Sequence, residues 1–193
     1  MRRRNKPKAK KKPPQQKRRP TTEPTFADLL RRGTELLQRG RVQQATGYLQ
    51  QAYELDAKNL DVALNLGGAY ILSKKFKQAV VVLEPLVEAY PENGMVWTNL
   101  GAAYLGNPIL AKDENQLKAI EAFESALKCD PIAPNVAYNI GLIYRDRQDF
   151  EQAASWFRKA IQASPNDKDA RNYLQQMEER SKKLAVDVGE DKA

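Results

Sequence analysis

Three asparagines recur along this sequence, and their side chains offer the same hydrogen-bonding chemistry at each position. Asn65 and Asn99 lie 34 residues apart, Asn139 follows 40 residues later, and each directly precedes Leu-Gly or Ile-Gly. A carboxamide has both donor hydrogens and an acceptor oxygen, which match the C=O and N–H groups of a peptide unit. We weigh two roles for these residues: hydrogen bonds to a bound peptide, or hydrogen bonds to a neighbouring helix or local backbone group.

Residue types that most enzymes need are missing. The chain has no histidine, which removes the commonest general base and metal ligand. Its only cysteine, Cys129, excludes an intrachain disulfide and a cysteine-built zinc site, and we expect it to be a small apolar residue near a helix end. The sequence contains neither a phosphate-binding glycine loop nor a dinucleotide fingerprint. We therefore expect no catalysis, no metal and no cofactor.

Positive charge is concentrated at the N-terminus. Residues 1–25 hold 11 of the 32 basic residues, one of the 24 acidic residues and five prolines, so their net charge is +10 and that of residues 26–193 is −2. This basic arm has no large apolar residue after Met1, so it cannot offset the entropy of folding, and we expect it to be disordered. The single cysteine and the lack of a membrane-spanning apolar stretch predict a cytoplasmic protein, or a nuclear one in a eukaryote.

From Phe26 onwards the pattern of apolar residues predicts helices in pairs. Apolar residues recur at three- and four-residue spacing, and short polar or glycine-containing turns interrupt them. Each copy keeps a glycine in its first helix, although glycine costs about 1 kcal/mol relative to alanine there. We expect these glycines (Gly33, Gly67, Gly101, Gly141) to let the helices approach, each opposite an alanine of the second helix (Ala45, Ala79, Ala119, Ala153). Leucines and aromatic residues of the second helices are expected to fill the space between neighbouring repeats.

The repeated pattern resembles the tetratricopeptide repeat family. In that family the first helix carries a large residue, then Leu-Gly, then Tyr, and the second carries Ala, an aromatic residue and Ala before a closing Pro. The copy at 60–93 has the matching residues Ala63, Leu66, Gly67, Tyr70, Ala79, Leu83, Leu86 and Pro91. The copies at 94–133 and 134–167 match in the same register, and the copy at 26–59 matches less well.

The resemblance implies an all-α fold, a right-handed superhelical solenoid of helix-turn-helix repeats. We expect four repeats (26–59, 60–93, 94–133 and 134–167), a capping helix at 168–184 and a flexible tail at 185–193. The third repeat is six residues longer, and its extra residues are expected to form a loop around 106–113, either a tolerated insertion or a functional loop. Arg32 replaces the Leu or Ile of later copies, as suits a terminal repeat that faces water.

The first helices of such a solenoid line a concave groove, and the resemblance implies that the asparagines there bind an extended peptide. Helical spacing places seven further residues on or near the same face: Gly68, Met95, Thr98, Ala102, Tyr138, Leu142 and Arg145. Small residues would leave room for a ligand and larger apolar ones would contact it, whereas ordinary packing is the alternative for each. Some relatives bind a C-terminal carboxylate with polar and basic residues, but Leu30, Thr34, Leu64, Asn135 and Asn139 stand at those positions, which disfavours that role.

These observations predict a non-enzymatic adaptor that binds a peptide or a segment of a partner protein in its groove. The alternative is a nucleic-acid- or ribosome-associated factor anchored by the basic arm, since Lys and Arg runs neutralise phosphates without reading sequence. Those runs are Arg2, Arg3, Arg4, Lys10, Lys11, Lys12, Lys17, Arg18 and Arg19. A nuclear import signal or a solubilising tail would explain the same runs. The partner's identity and the oligomeric state do not follow from the sequence.

Overall fold

A computed structural model of the chain describes residues 23–107, 111–133 and 135–190, with side chains described as far as Lys183. These residues form nine α-helices and no strand. The helices are α1 (Phe26–Gln38), α2 (Val42–Leu55), α3 (Leu60–Leu72), α4 (Phe76–Ala89), α5 (Gly94–Leu105), α6 (Asp113–Cys129), α7 (Val136–Asp146), α8 (Phe150–Ala163) and α9 (Lys168–Glu190). The predicted all-α solenoid is confirmed. The basic runs of the N-terminal arm lie outside the described residues.

Three of the four helix pairs are joined by the same short turn. After α1 the N–H of Arg41 donates to the C=O of Leu36 at 2.9 Å, and equivalent bonds close α3 and α7. The middle residue of each turn lies in the left-handed region, with φ of 70° at Gly40, 58° at Lys74 and 62° at Gln148. A residue with this left-handed conformation reverses the chain, so that backbone N–H groups in the turn donate to the last carbonyl groups of the helix. The turns therefore produce antiparallel hairpins from α1–α2, α3–α4 and α7–α8.

The third hairpin is built differently, because its extra residues are not confined to a loop. Residues 106–112 connect α5 to α6, and 108–110 lie outside the described residues. Helix α6 has 17 residues, whereas α2, α4 and α8 have 14 each. The predicted six-residue loop insertion is therefore divided between a longer connection and an N-terminal extension of α6.

The recurring glycines do mark close helix approach, but the residue opposite is not the predicted alanine. A Cβ atom on Gly67 would lie 2.7 Å from Leu83, and one on Gly101 would lie 2.7 Å from the ring of Phe123. In the same way, a Cβ atom on Gly33 would lie 2.6 Å from Leu49, and one on Gly141 would lie 2.9 Å from the ring of Phe157. These large residues are fully buried. Each fills the notch opposite the glycine of its own hairpin, because a large side chain reaches further across the interface than an alanine methyl group does.

Both ends of the solenoid differ from the sequence-based boundaries. Thr25, assigned to the disordered arm, caps α1: its hydroxyl accepts from the N–H of Asp28, whose carboxylate accepts from Thr25 in return. Helix α9 continues to Glu190, so the predicted boundary at 184 is wrong, and residues 191–193 lie outside the described residues. No glycine or proline interrupts 168–188, which allows the helix to continue.

The core is continuous along the solenoid. Trp97 and Tyr104 pack against the buried clusters on both sides of α5, and Tyr138 and Tyr144 join the cluster of α6 and α7 to that of α8 and α9. Met177 of α9 is only 1% exposed, which anchors this helix to the preceding hairpin. Since every first helix runs in the same direction, α1, α3, α5, α7 and α9 all begin at one edge of the molecule.

Candidate functional site

A cavity of about 800 Å³ opens beside the start of α5, and we refer to it as the Asn99 cavity. Its walls come from the turn between α4 and α5, the first two turns of α5, and the turn between α6 and α7. The lining includes Tyr90, Glu92, Met95, Thr98, Asn99 and Asp130. The residues that face a ligand here therefore come from two different inter-repeat turns and one helix.

The start of α5 is held in place by its cap and by the preceding turn. The side-chain oxygen of Asn93 accepts from the N–H groups of Met95 and Val96 at 3.0 and 3.3 Å. The indole N–H of Trp97 donates to the carbonyl oxygen of Pro91 at 2.7 Å, which ties the turn to the helix. The Asn93 bonds satisfy backbone donors that a helix N-terminus leaves free, and together with the Trp97 bond they fix the wall of the cavity.

Three of the residues that the sequence assigns to the groove, Asn99, Met95 and Thr98, line this cavity. The carboxamide of Asn99 makes no hydrogen bond with any described residue. The Met95 side chain is 65% exposed, while the Thr98 hydroxyl is already used, since it donates to the carbonyl oxygen of Gly94 at 2.8 Å. An amide and an apolar side chain thus stand side by side on the cavity wall.

The other two asparagines have different surroundings. The Nδ2 of Asn65 donates to the Oγ1 of Thr34 on α1 at 3.0 Å, which is the neighbouring-helix role weighed from the sequence. Asn139 is half-buried, and within the described part of the chain its side chain makes no hydrogen bond. The three residues are equivalent in sequence but not in their hydrogen bonding.

Helix α9 covers the end of the face that holds Tyr138, Leu142 and Arg145. The Tyr138 ring meets Phe157 and Tyr173 edge-on at centroid distances of 5.7 and 6.1 Å. Leu142 packs in the same cluster. The Arg145 guanidinium lies 5.0 Å from the centre of the Tyr173 ring and 2.6 Å from a carboxylate oxygen of Asp146. These predicted groove residues therefore contact the capping helix.

Burial and charge explain the shifted titration of this region. Burial raises the pKa of the Tyr138 phenol, and the nearby Tyr173, Asp169 and Asp167 raise it further. Burial is the largest single effect on Arg145 and lowers its pKa, but the hydrogen bond and charge of Asp146 together with Tyr173 outweigh burial, so the pKa is raised. At neutral pH the Tyr138 phenol therefore stays neutral and the Arg145 guanidinium stays charged.

Tyr173 of α9 occupies the position equivalent to the three asparagines, and this could have been recognised from the sequence. It lies 34 residues after Asn139, so it takes the same place in the first helix of an incomplete fifth unit. The sequence-based prediction took the capping helix as a separate element and missed this correspondence. Arg31 lies 34 residues before Asn65, so the equivalent positions of the five first helices are Arg31, Asn65, Asn99, Asn139 and Tyr173.

The two small residues predicted to leave room in the groove also differ. A Cβ atom on Gly68 would have no heavy atom within 4 Å, so the space beside it is open. Ala102 is half-buried and packs against the core cluster of α6 and α7.

The prediction missed the turn residues Tyr90, Glu92 and Asp130, because turns carry no helical periodicity that would assign them to a face.

A second cavity, of about 490 Å³, lies at the opposite edge beside the α5–α6 connection. It is lined by Phe76, Glu84, Tyr104 and Lys118, among others. The Tyr104 hydroxyl donates to the Glu84 carboxylate at 2.6 Å, and both burial and this bond raise the pKa of the phenol. This hydrogen bond pairs two of the polar side chains that line the cavity with each other.

Membrane spans and metal clusters are not found in the described ranges 23–107, 111–133 and 135–190. No helix there is long and apolar enough to cross a membrane. No group of three or more His, Cys, Asp or Glu residues there is arranged to hold a metal ion.

Comparison with known proteins relates the chain to repeat proteins. Two family models, each described as a tetratricopeptide repeat, match residues 36–103 and 114–168, which together make up more than half of the chain. The tetratricopeptide repeat-containing protein trd-1 of Caenorhabditis elegans is 26% identical over 164 residues, 83% of this chain and 20% of that protein. A peroxisomal targeting signal receptor of Kluyveromyces lactis is 26% identical over 119 residues, 62% of this chain and 20% of that protein. The chain thus spans about a fifth of the length of these curated relatives.

Solved structures share the fold. MamA from Desulfovibrio magneticus RS-1 superposes with a TM-score of 0.66 at 25% identity, covering 76% of this chain and 80% of that one. A thermophilic TPR protein of Thermus thermophilus gives the same TM-score at 18% identity, covering 79% of this chain and 81% of that one. The latter likeness is one of fold alone.

Proposed function

This chain belongs to the tetratricopeptide repeat family, whose members bind protein partners, and from that premise we propose that it is a non-enzymatic adaptor. In this proposal an extended segment of a partner protein binds in the groove along α3, α5 and α7, with the Asn99 cavity at its centre. The relative from Kluyveromyces lactis is named as a receptor for a targeting signal, which supports a short peptide as the kind of ligand.

The observation that carries the proposal is the Asn99 amide, which has no hydrogen-bond partner among the described residues and lies at a cavity of about 800 Å³. A cavity of this size falls within the range of ligand sites in proteins. An extended peptide presents backbone donors and acceptors together with side chains, and Asn99 beside the exposed Met95 offers partners for both. An amide without a protein partner loses nothing when it exchanges water for a ligand, whereas the bonded Asn65 would first have to leave Thr34.

The test uses asparagine-to-alanine variants that share one chemical change. Once affinity capture with the full-length chain has identified a partner, isothermal titration calorimetry measures its Kd for each variant. We expect Asn99→Ala and Asn139→Ala each to weaken binding by roughly 2- to 10-fold, since a hydrogen bond contributes about 0.5–1.5 kcal/mol. Asn65→Ala is expected to lower the free energy of unfolding instead, because it removes the bond to Thr34.

Asn115→Ala is the matched control. Asn115 is exposed on α6 and lines the cavity at the opposite edge, so its replacement should leave the Kd unchanged. Equal affinity of the wild type and the combined Asn99→Ala, Asn139→Ala variant would refute groove binding.

A second candidate function uses the basic arm to bind nucleic acid or the ribosome. Its support is the net charge of +10 within residues 1–25 against −2 in the rest of the chain. Deletion of residues 1–22 tests it and leaves Thr25 to cap α1. RNA binding at low salt that survives this deletion would contradict this function.

The cytoplasmic location predicted from the sequence also remains a prediction.

A further inference from the structure

The two edges of the solenoid carry opposite charges over its first half. The turns that join α1 to α2 and α3 to α4, together with the first residues of α4, expose five cations and no acid: Arg39, Arg41, Lys74, Lys75 and Lys77, the basic edge. At the other edge, the α2–α3 and α4–α5 turns and the helix starts that follow them expose Asp56, Asp61 and Glu92, and the α6–α7 turn adds Asp130; these four carboxylates are the acidic edge. Lys58 is the only cation in those turns. A basic segment would therefore be attracted to one edge and repelled from the other.

The carboxylates of the acidic edge are available to a basic partner. None of the four forms an ion pair with a described residue, although six ion pairs occur elsewhere. Backbone N–H groups of Lys58 and Ile132 donate to Asp56 and Asp130, both at 3.1 Å, which fixes the direction of these carboxylates without neutralising them. Glu92 and Asp130 line the Asn99 cavity, and no cation does so among its described lining residues.

The chain itself supplies a basic segment that starts at this edge. Helix α1 begins at the acidic edge, as α3 and α5 do, so the residues before Thr25 leave the solenoid there. Helix α1 packs on α3, and α3 packs on α5. The axes of packed helices lie about 8–10 Å apart, so the Asn99 cavity at the start of α5 is two such distances from α1. Lys17 precedes Thr25 by eight residues, which span about 26 Å when extended. The connection is therefore long enough for the run Lys17-Arg18-Arg19 to reach the cavity.

We propose that residues 1–22 dock along the acidic edge of their own chain and that Lys17-Arg18-Arg19 covers the Asn99 cavity. The arm then competes with the partner segment, and a partner must displace it. This inference rests on the proposed function, because it assigns an occupant to the same groove. Docking within one chain is favoured over docking between chains, because the short connection keeps the arm at a high effective concentration.

Paramagnetic relaxation in the full-length chain tests the proposal. A spin label is attached at Gln16→Cys in a Cys129→Ser background, and amide signals of the isotope-labelled protein are compared with and without the paramagnet. We expect strong broadening at Asp61, Met95 and Asn99 and little at Lys74, Lys75 and Arg147. Raising the salt concentration should reduce the broadening, since exposed charge pairs are screened.

Two charge variants serve as a matched pair in the same spin-labelled chain. Glu92→Gln with Asp130→Asn should reduce the ratio of docked to free arm by roughly two- to thirtyfold, the combined effect of two exposed ion pairs. Glu121→Gln with Glu151→Gln alters the net charge equally at exposed positions of α6 and α8, and should leave the broadening unchanged. Broadening that is equal at the two edges, or that responds equally to the two variants, would overturn the proposal.

Mixing experiments separate the remaining outcomes. In this experiment, chains that carry the spin label but no isotope are mixed with isotope-labelled chains that carry no spin label. Docking within one chain predicts no broadening of the amide signals in this mixture. Broadening would mean that the arm binds a second copy and would overturn the proposal. The proposed function is judged separately by the partner's Kd. If Asn99→Ala and Asn139→Ala do not affect that Kd while the broadening persists, groove binding fails and the arm contact stands. If the broadening is absent while the two variants weaken the Kd, the arm contact fails and groove binding stands.

Discussion

Replacement of Phe157 by alanine is expected to lower the free energy of unfolding by about 3–5 kcal/mol and to free α9 from the end of the solenoid. The Phe157 ring has no exposed surface and fills the notch opposite Gly141. It also stacks on Tyr173 of α9, with centroids 5.3 Å apart and planes 14° apart, and meets Tyr138 of α7. One side chain therefore joins three helices, and alanine would leave a cavity between them.

The loss should be local, because each repeat of a solenoid contacts only its neighbours. We expect limited proteolysis of Phe157→Ala to cut within residues 136–190 well before it cuts within residues 26–105. Circular dichroism in a urea series measures the accompanying loss of stability. Tyr138 and Arg145, now covered by Tyr173, should become accessible in the same variant.

Phe150→Ala is the matched control for this prediction. Phe150 lies on the same helix, undergoes the same truncation and is only half-buried. Its replacement should cost less than half as much as that of Phe157, since the cost of truncation follows the apolar surface removed from the core. Equal losses from the two variants would contradict the central packing role assigned to Phe157.

Two adjacent glycines of α3 are expected to respond in opposite directions to the same substitution. Gly67→Ala should destabilise the protein by about 1–3 kcal/mol, because the new Cβ would lie 2.7 Å from the Leu83 Cγ, and Leu83 is fully buried and cannot move aside. Gly68→Ala should stabilise it by about 0.5–1 kcal/mol, because the site is open and alanine favours the helix.

Urea unfolding of both variants measures this difference, and each variant is the control of the other. They share the helix, the added methyl group and the change in helix propensity, so only the space around the Cβ distinguishes them. Stabilisation by Gly67→Ala would show that α3 and α4 are further apart than the structure has them. If Gly68→Ala also weakens partner binding, the open space beside Gly68 belongs to the groove.

Much of the fold could be predicted from local patterns in the sequence. The three- and four-residue spacing of apolar side chains predicts the helices, and the recurring Leu-Gly and Ile-Gly pairs predict where they approach. The error at the glycines shows how far such patterns extend. Helical spacing indicates that Ala79 and Leu83 lie on one face of α4, but only the packed pair of helices shows that Leu83 lies opposite Gly67.

The candidate site depends on contacts between residues that are distant in sequence. Asn65 and Asn99 occupy equivalent positions, yet one donates to Thr34 and the other borders a cavity shared with Asp130. Local periodicity assigns both residues to one helix face and carries no information about these partners. A hydrogen bond or a cavity wall forms only when helices and turns that are distant in the chain pack together. Sequence was therefore sufficient for the repeats and their stacking, whereas tertiary packing decided which asparagine remains free for a ligand.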